Sequence, residues 1–100
     1  MKHRMYNPAH PGEILKGWLH DLGANVTIFS AHLKVSRVML SRVLNGRSGI
    51  SADMDLRLSE ALGTQPGFWL ALQTQRDLWV ASQSAKDRPR IKRIRTPHPV

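Results

Sequence analysis

The chain contains no cysteine. Disulfides and thiolate-based zinc or iron–sulfur sites are therefore excluded, and a reducing cytosol is the expected compartment. Carboxylates are scarce, with seven Asp and Glu against 15 Lys and Arg. No apolar run approaches the roughly 18 residues that would suggest a membrane span. The N-terminal MKHRMYNPAHPGEIL is positive but has no apolar stretch, so it is not expected to be a secretory signal. The histidines His3, His10, His20, His32 and His98 show neither HExxH nor HxxxH spacing. There is no glycine-rich phosphate loop, and no serine sits in a G-x-S-x-G context. His20-Asp21 is an adjacent pair, which on a helix points in two directions. Catalysis is not expected, and nothing calls for a cofactor or a metal.

What is present suffices to fold. The 100 residues suggest one domain with a modest core, and 41% hydrophobic content sets the chain apart from disordered sequences. The net charge of +8 invites a polyanion. Its distribution is uneven: residues 86–100 carry +5, residues 25–47 carry +4 with no acid, and the rest sums to −1.

The patterning predicts five helices and no strand. Pro11 opens the first, Ile14, Leu15, Trp18, Leu19 and Leu22 give its apolar stripe, and Gly23 ends it. Glu13 fits the first turn as support for that N-terminus. Asn25 caps a short second helix to about Leu33, anchored by Ile28, Phe29 and Leu33. After a tight turn at Lys34-Val35, Ser36 caps a third helix that Asn45-Gly46 terminates. Ser51 caps a fourth, with Asp53 and Asp55 in its first turn and Met54, Leu58, Ala61 and Leu62 facing inward before Gly63. Thr64-Gln65-Pro66 opens a fifth, reaching about Ser82. Residues 1–85 are thus expected to form an all-α bundle, and 86–100, with three prolines and dense charge, a mobile basic tail.

The third helix poses the functional question. At about 100° per residue, Leu40, Val43 and Leu44 share one side. Val38, Arg42 and Asn45 point the opposite way, Ser41 and Met39 flank them, and Arg37 lies at the N-terminal edge. One reading is a solvated face with a stray apolar residue. The other is a recognition helix: Arg bonds guanine, Asn reads adenine, Val touches a thymine methyl, and no acid is there to repel phosphate. Short helix, tight turn and this helix together have the length and pattern of a helix-turn-helix.

NVTIFSAHLKVSRVMLSRVLNGRSGIS resembles the lambda-repressor-type (XRE-like) helix-turn-helix. HPGEIL at 10–15, SRVLNGRSGIS at 41–51, LRLSEALGT at 56–64 and FWLALQTQRDLW at 68–79 together resemble the HigA-type antitoxins over about residues 8–82. Two positions depart from the pattern: the turn glycine is Lys34, and a small alanine of the second helix is Ser30. The resemblance implies base contacts from Arg37, Val38, Met39, Ser41 and Arg42. It implies phosphate contacts from Lys34, Ser36, Asn45 and Arg47, with Asn25 a further candidate. Met39 has an alternative reading at the edge of the core. The resemblance further implies a homodimer, operator binding with repression of the protein's own operon, and neutralisation of a cognate mRNA-cleaving toxin. A stand-alone repressor with no toxin, and a protein-interaction module, remain as alternatives.

In the fifth helix Phe68, Leu72 and Trp79 form one stripe, while Trp69, Leu70, Leu78 and Val80 lie beyond it. Either the helix is wholly embedded, or the surplus (Trp69, Leu70, Leu78, Trp79) meets a second copy. Arg90, Lys92, Arg93 and Arg95 of the tail either only solubilise the chain or track DNA phosphate.

Overall fold

The computed structural model describes residues 7–84, 87–95 and 97. Five helices follow in order: α1 (Pro11–Asp21), α2 (Val26–Leu33), α3 (Arg37–Leu44), α4 (Ala52–Leu62) and α5 (Phe68–Gln83). No strand occurs among the described residues. Each of the three expected side-chain caps is formed. Asn25 accepts from the Ile28 N–H at 2.8 Å, Ser36 from Met39 at 3.0 Å, and Ser51 from Met54 at 3.1 Å. Each satisfies one of the free N–H groups of a helix start. A fourth cap is formed at α1, where His10 Nδ1 accepts from the Gly12 N–H at 2.9 Å.

The core gathers Leu15 and Leu19 of α1, Phe29 and Leu33 of α2, and Leu40, Val43 and Leu44 of α3. Ile50, Met54, Leu58 and Trp69 complete it. Full burial of side chains of this size contributes about 1.5–3 kcal/mol each. α3 packs against both α1 and α2, α4 against α2 and α5, and α1 also against α5. Gly12 lets α1 approach the end of α3, because a Cβ there would run into the Val43 carbonyl oxygen.

Three expectations about the helices are corrected. α5 starts at Phe68, not at Thr64–Pro66, and its N-cap Gly67 offers no side chain. The carboxylate of Asp55 on α4 does that work instead. Buried, it accepts from the N–H groups of Gly67 (2.6 Å), Trp69 (2.8 Å) and Leu70 (3.1 Å). Second, the buried residues of α5 are Trp69 and Gln73, while Phe68 is 39% exposed. Apolar spacing misplaced the inner face because a glutamine sits on it. Gln73 Oε1 accepts from the Ile50 N–H at 2.9 Å, and its Nε2 donates to Asp77 at 2.9 Å. Third, two expected apolar anchors face solvent: Leu22, the C-cap of α1, is 63% exposed, and Ile28 of α2 is 67% exposed, while Phe29, Ser30 and Leu33 turn inward.

Residues 87–95 are exposed and contain no α-helix or strand. Lys86, Thr96 and His98–Val100 of the expected tail, and His3 near the start, lie outside the described residues.

Candidate nucleic-acid interface

The turn between α2 and α3 is short because Lys34 adopts the left-handed conformation, φ 60° and ψ 41°. This is the one positive-φ residue other than glycine among the described residues. A side chain in that region costs roughly 1–2 kcal/mol relative to glycine. The Lys34 N–H donates to Ala31 O and the Val35 N–H to Ser30 O, closing the end of α2. Ser36 then restarts the helix, so α3 begins at Arg37 with a capped, exposed N-terminus.

The outer face of α3 is as the spacing predicts. Val38 is 68% exposed and Met39 46%, and Arg37, Arg42 and Asn45 are exposed; Ser41 is half-buried. Met39 therefore does not lie at the core edge. Lys34, Ser36 and Arg47 are exposed on the segments flanking α3, and Asn25 is exposed at the start of α2. Among the described residues Lys34, Arg37, Arg42 and Arg47 have no carboxylate partner. The chain leaves α3 by folding back on it: the N–H groups of Arg47 and Ser48 both donate to the Arg42 carbonyl, at 2.8 and 3.2 Å. The surface so formed is basic, has no acid on α3, and exposes a valine and a methionine. It suits a groove lined by phosphates and base edges.

No group of three His, Cys, Asp or Glu among the described residues is placed to hold a metal ion.

No family model matches the chain. A relative, virulence-associated protein A′ of Dichelobacter nodosus, is 44% identical over 89 residues, covering 88% of this chain and 77% of that protein. Among solved structures, an addiction module antidote protein of the HigA family from Coxiella burnetii is 38% identical with a TM-score of 0.77. The match covers 82% of this chain and 91% of that one. The antitoxin GraA in complex with its operator is 36% identical with a TM-score of 0.79, covering 93% of this chain and all of that one. The chain belongs to the HigA/GraA-type antitoxins, a family of helix-turn-helix transcriptional regulators.

Two residues of this HigA/GraA-type chain beside the turn and α3 escape sequence reasoning. Lys16 of α1 reaches Asn45 Oδ1 at 3.2 Å, and Asn45 Nδ2 donates to Ser41 Oγ at 3.3 Å. A lysine thus stands at the C-terminal end of α3, although nothing in the sequence links positions 16 and 45. Arg57 of α4 donates from Nη1 to the carbonyls of Leu33 (2.8 Å) and Lys34 (3.2 Å), and from Nε to Asp53 (2.8 Å). It reads in the sequence only as a polar position on the fourth helix.

The candidate dimer residues separate. Trp69 is fully buried and forms edge contacts with Trp18 and Phe68, at ring-centroid distances of 5.0 and 5.1 Å. Its Nε1 donates to Thr64 at 3.1 Å. It belongs to the core and offers nothing to a second copy. Leu78 is 56% exposed, Leu70 and Trp79 are half-buried, and the Arg76 guanidinium lies 5.1 Å from the Trp79 ring centre.

Proposed function

We propose that this chain is an antitoxin that binds operator DNA through its helix-turn-helix and represses its own operon. Arg37, Val38, Met39, Ser41 and Arg42 read base edges in the major groove, with Arg42 bidentate to a guanine. Asn25, Lys34, Ser36, Asn45 and Arg47 hold phosphates, and Lys16 joins them through its place beside Asn45. The observation that carries this reading is the exposed, acid-free face of α3, flanked by cations with no carboxylate partner among the described residues.

The antitoxin GraA and a Pseudomonas aeruginosa HigA are known with operator or promoter DNA, which supports the same partner here. Two copies, meeting through the exposed part of α5 around Leu78 and Trp79, present two α3 helices roughly 34 Å apart, one turn of duplex. The second partner is a cognate mRNA-cleaving toxin, and the protein works in the cytoplasm, where its operator lies. No described helix is long and apolar enough to cross a membrane.

The test is fluorescence anisotropy on labelled duplex from the region upstream of the gene, against a scrambled duplex, across a salt series. A preference of about 10³-fold or more at physiological salt is expected of a sequence-reading regulator. Equal, steeply salt-dependent binding to both would reduce the basic face to a non-specific electrostatic patch. Co-purification with the product of an adjacent small open reading frame tests the toxin. Its failure, with specific DNA binding intact, would leave a stand-alone repressor.

A further inference from the structure

The turn that sets α3 against α2 is held from outside the helix-turn-helix. Arg57 Nη1 bridges two consecutive carbonyl oxygens, those of Leu33 and Lys34, while Nε is fixed by Asp53 one helical turn earlier. These carbonyls end α2, where the helix carries partial negative charge and where intrahelical donors have run out. They also flank Lys34, held left-handed without being a glycine.

We propose that Arg57 is a positioning residue for DNA binding: its guanidinium fixes the two peptide planes that set the angle between α2 and α3 and the direction of Lys34. The inference rests on the operator-binding reading above. A planar fork with several fixed donors can hold both oxygens at once, and the Asp53 carboxylate stops it rotating. Arg57 also covers the partly negative C-terminal end of α2. Nε and Nη1 are committed to one carboxylate and two carbonyls, and in this role Arg57 orients the residues that hold phosphate rather than serving as a phosphate ligand.

That distinction is measurable. On the upstream duplex, Arg57→Ala is expected to weaken binding about tenfold or more, as loss of hydrogen bonds from a charged donor implies. The slope of affinity against salt should stay unchanged. In a Lys34→Gly background the same substitution should cost far less, because glycine takes the left-handed turn unaided. Arg57→Lys keeps the charge but cannot span both carbonyls, and carries the same comparison if the alanine variant fails to fold. Amide hydrogen exchange at Val35, whose N–H bonds Ser30 O at 3.0 Å, reports the turn without DNA. It should accelerate in the variants. A slope lower by about one would make Arg57 a phosphate ligand and overturn the proposal. So would an equal loss in both backgrounds, or unchanged affinity in the folded variants. If the wild-type protein treats upstream and scrambled duplex alike, the operator reading fails, and unaccelerated exchange at Val35 would then sink the clamp on its own.

Discussion

Asp55 shows how much a single side chain can organise. On α4 it occupies a first-turn position, where any acid is favoured by the helix dipole. Its carboxylate does more: it supplies the cap that Gly67 lacks, collecting three N–H groups at the start of α5. Asp55→Ala should leave those donors without a partner next to the buried Trp69 and cost about 2–3 kcal/mol, read as a lower urea midpoint. A loss below about 0.5 kcal/mol, the range of ordinary surface substitutions, would mean that water replaces the carboxylate. At this scale the sequence is legible where a contact is local. Asn25, Ser36 and Ser51 each bond a group three residues on, and each was readable as a cap. Asp55, Arg57 and Gln73 bond groups 12 to 24 residues away, and only the packing of helices reveals such partners.

At the scale of the element, α3 is the best-read part of the chain. Three apolar residues on one side and none of the acids on the other told core from solvent correctly, and Leu40, Val43 and Leu44 are buried. Arg42→Ala should lose about 1–3 kcal/mol of affinity for the upstream duplex and relax preference at one base position, measured by anisotropy on a set of single-base variants. A folded variant with unchanged affinity and specificity would remove Arg42 from the reading face. α5 was read less well, for a physical reason. Its inward side carries Gln73, and half-buried Arg76 bonds Asn7 and Pro8 at 3.1 Å, so hydrophobicity alone cannot find that side. The surplus of apolar residues was real, but Trp69 belongs to the core and not to a partner.

For the whole molecule, charge is the clearest signal. The chain carries +8, concentrated in the helix-turn-helix and the C-terminal segment. Arg90, Lys92, Arg93 and Arg95 are exposed. If they follow phosphate beside the folded domain, deleting 86–100 should lower the salt slope by up to about 3–4, near 0.9 per lost contact, while the preference for upstream over scrambled duplex is kept. An unchanged slope would leave the segment with no part in binding. The five-helix architecture was visible in punctuation: proline at the start of α1, and glycine after α1, α3 and α4. The tilt of one helix on another was not, because it depends on close approaches such as that of Gly12 to Val43.

Those approaches have a geometric consequence. α3 is seated on α1 at Gly12, and the loop that leaves it is tied at Ile50 to Gln73 of α5, the helix with the candidate dimer surface. Among the described residues, these contacts tie the surface proposed to pair two copies to the surface proposed to enter the groove. A pair of such subunits, formed as proposed above, would be a gauge of fixed length. Its two prongs would suit half-sites on the same side of the duplex, and half-sites moved out of phase by half a turn would place one prong against the wrong face of the helix.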